Sequence, residues 1–194
     1  MRKGEFHRKT GETDIKVEID LDGRGETQIS TGIGFFDHML TGFGRHGFFD
    51  LRVEAKGDLE VDSHHTVEDT GIVLGTAIKE ALGDKKGIKR FGFFILPMDE
   101  ALVLVSLDLS GRPYLVYEAE YKSEKIGTLD TQLIREFFYA LSYSAGMNIH
   151  IKVLSGMNDH HIAEATFKSF AKALDQATGF DDRNPDILST KGSL

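Results

Sequence analysis

The sequence predicts an α+β chain made of two related repeats, and three observations support this fold class. Residues 62–68 (DSHHTVE) and 158–164 (NDHHIAE) are nearly identical and start 96 positions apart in a chain of 194 residues. Segments that alternate polar and apolar residues, as half-buried strands do, precede both motifs. Apolar residues at helical spacing follow both motifs. A duplicated unit of strands followed by a helix accounts for all three observations.

In the first half, residues 13–20 (TDIKVEID) and 51–55 (LRVEA) alternate polar and apolar side chains, which predicts two antiparallel strands. Apolar residues recur at helical spacing from 67 to 82, and Gly83 is placed to end that helix. The helix is predicted to begin at the first His-His-x-x-Glu motif. Residues 31–47 contain five glycines, and we interpret 32–34 as a turn.

The second half repeats this plan. Three β-rich stretches, 91–96, 101–109 and 114–121, are separated by turn residues at 97–100 and 110–113, which predicts a meander. A helix over about 130–145, a strand over 148–154 and a helix over about 161–178 follow, with Gly179 as the final stop. Residues 35–40 (FFDHML) resemble 135–140 (REFFYA) upstream of the two motifs, so the duplication extends beyond the histidine pairs.

Composition limits the function. The net charge of −8 and the pI near 5.5 argue against a general nucleic-acid binder, which needs a basic face. No cysteine is present, so any metal must be held by nitrogen and oxygen. The N-terminus lacks the apolar core of a signal peptide, and the longest uncharged apolar stretch, 91–98, is too short to span a bilayer. We therefore expect a soluble, cytoplasmic protein.

The two His-His-x-x-Glu motifs predict a duplicated metal site. In a helix, residues at i, i+3 and i+4 share one face, which presents two imidazoles and a carboxylate together. A single motif could equally be a solvated first helical turn, but two matched copies favour metal binding. His38 and Glu136 lie at similar distances before the motifs and offer a fourth ligand in each half. So many ligands predict two ions, and mixed N/O ligation suits Mn²⁺, Fe²⁺ or Zn²⁺.

A cluster of basic residues predicts an anion site near the metals. Candidates are Arg90, Arg112, Lys168 and the tail segment 189–192 (STKG). Lys168 follows Glu164 by four residues, so both should lie on one helical face. Arg112, in a turn before a proline, could present a bidentate fork to phosphate. One phosphate within reach of the metals would explain all of these candidates.

The chain resembles the imidazoleglycerol-phosphate dehydratase family over nearly its whole length. Several motifs occur in the family's order: 8–13 (RKTGET), 34–40 (GFFDHML), 62–69 (DSHHTVED), 110–113 (SGRP), 158–165 (NDHHIAEA) and 189–192 (STKG). The resemblance implies a ribosomal protein S5 domain 2-like α+β fold, with the helices on one face of each sheet. It divides the chain into a first repeat (1–92), a second repeat (93–180) and a C-terminal tail (181–194) that contributes to the active site.

The resemblance also implies a homo-oligomer of 24 subunits with two Mn²⁺ ions at each interfacial active site. The implied metal ligands are His38, His64, His65, Glu68, Glu136, His160, His161 and Glu164. The implied substrate contacts are Glu12, a loop from His38 to His46, Arg90, Arg112, Lys168, Ser189 and Lys191. The chain departs from the family pattern at two positions: it has Glu136 where the family often has histidine, and Leu188 where the family usually has proline.

The implied reaction is the dehydration of D-erythro-imidazole-glycerol phosphate to imidazole-acetol phosphate in histidine biosynthesis. The carbon that loses its proton has no neighbouring carbonyl, so the substrate's imidazole must store the electrons, as an imidazolate favoured by Mn²⁺. Glu12, Glu68 and Glu164 are the carboxylates available for proton transfer. Glu12 is favoured because it belongs to no His-His motif.

Two other functions use the same residues. A dinuclear metallohydrolase would cleave a phosphoester with a metal-bound hydroxide and release phosphate. A metal-storing shell would bind ions without turning over a substrate, and it would have no use for the basic cluster. Formation of a ketone that keeps its phosphate distinguishes the dehydratase from both.

Overall fold

Each half of the chain folds into a four-stranded sheet and two helices, in a computed structural model that describes residues 1–194. The elements of the first half are β1 (Lys3–Lys9), β2 (Thr13–Asp20), β3 (Thr27–Ser30), α1 (Gly34–Gly47), β4 (Asp50–Gly57) and α2 (His64–Leu82). Those of the second half are β5 (Phe91–Met98), β6 (Ala101–Asp108), β7 (Tyr114–Glu118), β8 (Lys125–Ile126), β9 (Leu129–Asp130), α3 (Gln132–Ala145), β10 (Asn148–Ser155) and α4 (Asp159–Thr178).

The two sheets have the same topology, which confirms the predicted α+β duplication. The strand orders are β1-β2-β4-β3 and β5-β6-β10-β7. In each sheet the first three strands are antiparallel and the last strand pairs in parallel with its neighbour. The main difference lies between the parallel strand and the following helix, where the second repeat is ten residues longer and forms the β8–β9 hairpin.

The predicted meander is wrong. β10 lies between β6 and β7, so β7 pairs in parallel with β10 and not with β6. Side-chain alternation identifies a strand but not its partner, and parallel pairing needs a long crossover, which α3 supplies here. The predicted break at 97–100 is also too wide, since Pro97 and Met98 still belong to β5. A proline is tolerated there because β5 is an edge strand.

The glycine-rich segment contains a helix that the sequence analysis did not predict. α1 covers Gly34–Gly47 and ends where Phe48 adopts the left-handed conformation (φ 59°). Gly44 is needed for packing, because a Cβ there would lie 2.5 Å from Thr27. The predicted correspondence of residues 35–40 with 135–140 is wrong by two positions. α1 and α3 both have 14 residues, and aligning the two helices matches 35–40 with 133–138 and pairs His38 with Glu136.

The core lies between the two sheets, and the helices of the two repeats interleave there. α2 packs on β1 and β2, and α4 packs on β5 and β6. Across the repeats, α1 contacts α4 and α2 contacts α3. The ring centroids of Phe36 and Phe137 lie 5.3 Å apart, and those of Phe43 and Phe170 lie 5.5 Å apart. The repeats therefore share one core, and their helices cover one face of each sheet.

The division at 92/93 stays a prediction, and β5 begins two residues before it. The tail after α4 returns to the segment between α2 and β5, where the amide of Gly87 donates to the carbonyl of Asp186 (3.0 Å). No helix has both the length and the apolar character that crossing a bilayer requires.

Candidate active site

The second His-His motif forms the capped first turn of α4. The side-chain oxygen of Asn158 accepts hydrogen bonds from the amides of His160 (3.0 Å) and His161 (3.4 Å). Asparagine is a strong helix N-cap because its side chain satisfies amides that lack a partner in the helix. The cap therefore fixes the backbone that carries both imidazoles.

His38, His160 and Glu164 form a cluster at this helix start, which we call the α4 cluster. Glu164 Oε2 lies 3.0 Å from His160 Nε2 and 3.4 Å from His38 Nε2, and the three potential ligand atoms lie within 4.8 Å of one another. His38 comes from α1, so the cluster joins the two repeats. The Phe35 ring meets the His160 ring edge-on, with centroids 5.1 Å apart. Two imidazoles and a carboxylate are a suitable set of ligands for Mn²⁺, Fe²⁺ or Zn²⁺.

Lys168 adds a positive charge to the α4 cluster. Its Nζ lies 2.6 Å from Glu164 Oε1, as the i, i+4 spacing predicts. Burial acts to raise the pKa of Glu164, but the hydrogen bond and charge of Lys168, with a contribution from His160, lower it overall. Burial lowers the pKa of nearby His46, and the charge of Lys168 adds to this effect. The carboxylate of Glu164 is therefore ionised near neutral pH, which is the form that binds metal ions.

The first His-His motif forms a second cluster at the start of α2, which we call the α2 cluster: Glu12, Asp58, His64, His65 and Glu68. His64 Nε2 lies 3.5 Å from Glu68 Oε2. His65 Nδ1 lies 3.0 Å from Asp58 Oδ2 and 3.8 Å from Glu12 Oε2. The hydrogen bond to Asp58 raises the pKa of His65. Glu12 thus lies beside the first motif, although it is far from it in the chain.

The second histidine of each motif binds a carboxylate that the sequence analysis missed. His65 contacts Asp58, and His161 Nδ1 lies 2.8 Å from Glu100 Oε2 and its Nε2 lies 3.6 Å from Asp99 Oδ2. The prediction that both histidines and the glutamate of each motif lie together on one helical face therefore holds only for the first histidine and the glutamate. The duplication could have identified Glu100. It lies in the turn between β5 and β6, which corresponds to the turn between β1 and β2 that contains Glu12.

Glu136 is not brought to a histidine. Its Oε1 lies 2.9 Å from Arg135 NH1, and no imidazole nitrogen lies within 4.0 Å of its carboxylate. The two clusters flank the β8–β9 hairpin, because Lys125 lines both the cavity beside His64 and the cavity beside His160 and His161. The eight predicted metal ligands are thus distributed over separate positions within one chain.

The predicted loop from His38 to His46 lies within helix α1. That loop was implied by the family resemblance, and no helix was predicted there. Gly44 allows α1 to approach Thr27 closely, whereas a Cβ at Gly34 or Gly42 would have no neighbouring atom within 4 Å. The close packing at Gly44 acts against the low helix propensity of glycine.

Arg90, Arg112, Ser189 and Lys191 line a cavity of about 540 Å³ together with other tail residues. Arg90 already has partners there: its Nε and NH2 lie 2.7 and 3.1 Å from the carboxylate oxygens of Asp108, and its NH1 donates to the Leu188 carbonyl (2.7 Å). Arg112 and Lys191 form no ion pair, so they supply the uncompensated positive charge of this anion pocket.

One chain does not bring all the basic candidates together, so contact of one phosphate with all of them stays a prediction. The amide of Arg90 donates to the carbonyl of Ala177, near the end of α4, whereas Glu164 lies in its first turns. At 1.5 Å per residue, these two positions are about 20 Å apart along the helix. Lys168 therefore belongs to the α4 cluster, and the anion pocket lies at the opposite end of the helix.

Comparisons with known proteins agree on one family. The family model for imidazoleglycerol-phosphate dehydratase matches residues 31–174. Enzymes of that name from Lachnoclostridium phytofermentans and Acetivibrio thermocellus are each 63% identical to the chain over 193 residues, covering 100% of the chain and 98% and 99% of the relatives. The crystal structure of the Staphylococcus aureus enzyme superposes with a TM-score of 0.84 at 41% identity, covering 92% of this chain and 99% of that one. The Pyrococcus furiosus enzyme, in complex with (S)-C348, also superposes with a TM-score of 0.84, at 42% identity, covering 97% and 100% of the two chains.

Proposed function

Because the chain belongs to the imidazoleglycerol-phosphate dehydratase family, we propose that it converts D-erythro-imidazole-glycerol phosphate to imidazole-acetol phosphate with two bound Mn²⁺ ions. Family membership makes the protein a hydro-lyase of histidine biosynthesis. The α4 cluster is the observation that best supports the metal dependence, since residues from both repeats converge there with ligand atoms within 4.8 Å of one another.

The residues fit a metal ion of the Mn²⁺ type. His38, His160 and Glu164 would hold one ion, and the absence of cysteine leaves only nitrogen and oxygen ligands. His64 and Glu68 of the α2 cluster would contribute to the second, with His65, His161 and Glu136 as further ligands. Bound Mn²⁺ would supply Lewis acidity and favour the imidazolate form of the substrate.

The protein's own groups would position the substrate and move protons. Arg112 and Lys191 would hold the phosphate, with Ser189 beside them and Arg90 fixed by Asp108 as part of the pocket wall. Anchoring the phosphate reduces the entropic cost of orienting the reacting carbon. Glu12 is the favoured carboxylate for proton transfer, because its side chain is 57% exposed and free to reach a substrate beside His65.

A homo-oligomer would complete the site, and we extend the proposal to an assembly of 24 subunits. Within one chain the α4 cluster and the anion pocket lie about 20 Å apart along α4, which is too far for one small substrate to contact both. A second subunit would bring its anion pocket to this cluster. The exposed apolar side chains on the outer face of the second sheet, including Phe93 and Ile95, provide a surface for such contacts.

The test is an assay of metal-free protein with imidazole-glycerol phosphate, with and without added Mn²⁺, that follows ketone and free phosphate together. We expect Mn²⁺-dependent ketone formation and no release of phosphate. Phosphate release would favour a metallohydrolase, and Mn²⁺ binding without either product would favour metal storage.

A further inference from the structure

A polar network, buried at Thr13 and Asp69 and partly exposed at Arg8, connects the first sheet to α2 beside the α2 cluster. Asp69 follows Glu68 in α2 and is only 7% exposed. Its Oδ2 accepts a hydrogen bond from Thr13 Oγ1 (2.5 Å) and forms an ion pair with the guanidinium of Arg8. Arg8 belongs to β1 and Thr13 starts β2, so the three residues hold together the two strands and the helix.

The second repeat replaces all three of these residues with apolar ones. Gly4 and Gly92 provide the alignment, because a Cβ at either would lie 1.9 Å from the carbonyl of Ala77 or Ala173 at matching points of α2 and α4. With this alignment, the counterparts of Arg8, Thr13 and Asp69 are Leu96, Ala101 and Ala165. Ala101 and Ala165 are buried, and Leu96 packs against the core. The same backbone therefore forms without the polar network.

This substitution pattern implies a role other than stability. The Arg8 side chain is 35% exposed and that of Asp69 is 10% exposed, and ion pairs at such positions often add little net stability, because solvent screens the exposed charge and the buried one has to be desolvated. The second repeat shows that an apolar set is compatible with the fold. The polar set in the first repeat therefore requires another explanation, which its neighbour Glu12 supplies.

The two repeats hold their strand-strand turns in different ways. In the second repeat, the carboxylate of Glu100 fastens the turn itself, accepting hydrogen bonds from the amides of Met157 (3.1 Å) and Asn158 (2.7 Å) and contacting His161. Glu12 occupies the matching position in the first repeat, but its carboxylate forms no such bonds and is 57% exposed. There the turn is closed by Thr10 Oγ1, which accepts from the amides of Glu12 (3.1 Å) and Thr13 (3.0 Å).

We propose that Arg8, Thr13 and Asp69 are positioning residues that hold the turn of Glu12 against α2 and leave its carboxylate free for proton transfer. The inference rests on the proposed dehydratase function. Asp69 and Glu68 are adjacent in α2, so fixing Thr13 to Asp69 also fixes Glu12 relative to the ligands of the α2 cluster. In the second repeat the carboxylate is used to hold the turn, and it is not free to react.

The test gives the first repeat the residues of the second, in the full chain: Arg8→Leu/Thr13→Ala/Asp69→Ala. We expect the urea unfolding midpoint and the assembly to be preserved. We expect kcat to fall by about 10- to 100-fold, as for loss of groups that support a ligand shell, with a smaller change in KM, because the phosphate contacts are intact. Hydrogen exchange of residues 8–14 should accelerate, while residues 96–102 serve as the unchanged internal control.

A pair of single variants covers the case in which the triple variant does not fold. Thr13→Val keeps the volume and removes the hydroxyl, so kcat should fall, whereas Thr13→Ser keeps the hydroxyl and should restore activity. Wild-type kcat in the folded triple variant, or equal kcat in Thr13→Val and Thr13→Ser, would overturn the inference. Failure of the proposed function is distinguishable, because the wild-type protein itself would then form no ketone.

Discussion

The outer faces of the two sheets show how far two repeats with one topology can diverge. On the first sheet, Lys16 Nζ lies 2.8 Å from both Glu5 and Glu18, as part of a network of exposed charges. At the matching positions of Glu5 and Lys16, the second sheet has Phe93 and Leu104. The Phe93 side chain is 62% exposed. One outer face is therefore suited to water and the other to a protein surface.

The shared core constrains only the inner faces of the two sheets. From Ile15 in β2 and Val103 in β6 onward, alternate residues point to the core and are apolar in both repeats, whereas the outward positions are free to change. The same separation holds at the helix starts: both repeats keep a His-His-x-x-Glu motif, but only the α4 cluster recruits a histidine from the other repeat. Function has diverged at positions that the shared core does not constrain.

The largest effect should come from removing one proposed metal ligand in each repeat. His160→Ala takes one of three groups from the α4 cluster, and His64→Ala is its matched counterpart in the α2 cluster. We expect each variant to lose at least about 100-fold in kcat, since even groups behind the ligands contribute 10- to 100-fold. Metal analysis should show one Mn²⁺ lost per chain in each variant. If His64→Ala retained both ions, the two motifs would not be functionally equivalent.

The outer faces can be compared by giving the second sheet a residue of the first. Phe93→Glu introduces the residue that occupies the matching position, Glu5. An unpaired carboxylate in an apolar interface costs on the order of a few kcal/mol, so we expect the assembly to dissociate into smaller species in sedimentation velocity. Glu5→Gln is the control and should leave the assembly intact. Unchanged sedimentation of Phe93→Glu would remove this face from the proposed interface.

The helix starts should differ in stability. Asn158 caps α4 through its side chain, whereas Ser63 at the start of α2 makes no such bond. We expect Asn158→Ala to lower the free energy of unfolding by about 1 kcal/mol and Ser63→Ala to change it little, as measured by urea denaturation of the metal-free protein. Equal losses in the two variants would contradict the assigned difference in capping.

The smallest effect concerns the second histidine of each motif. The hydrogen bond to Glu100 raises the pKa of His161 above its usual 6.5, and the same bond, with backbone amides, lowers the pKa of Glu100 to about 2. The stabilisation from protonated His161 is complete below the unfolded pKa near 6.5 and is lost as the pH rises through the higher folded value. The contribution of ionised Glu100 is complete above the unfolded pKa near 4.5 and is lost as the pH falls from there through about 2.

NMR titration of the imidazole protons in the metal-free protein measures the pKa values of His161 and His65 directly. Glu100→Gln should bring the pKa of His161 down toward 6.5 and leave that of His65 raised. Asp58→Asn should do the reverse. A raised His161 pKa in Glu100→Gln would mean that another carboxylate, such as Asp99, is the dominant partner.

Local sequence patterns were enough for several predictions. The bounds of β2, the stop at Gly83 and the stop at Gly179 agree with the structure, because periodicity and helix-end residues act over a few positions. The pairing of Lys168 with Glu164 was predicted for the same reason, since one turn of helix determines it. The helix α1 was missed because the packing that favours glycine there involves residues distant in the chain.

Periodicity, spacing and composition are local properties, so the duplicated α+β plan and the two His-His-x-x-Glu motifs could be predicted from the sequence. Three features could not be predicted in this way: β10 separates β6 from β7, His38 lies beside Glu164, and Asp108 pairs with Arg90. Each of these depends on which elements pack together. Packing is decided by the whole core, and no pattern within one segment contains that information.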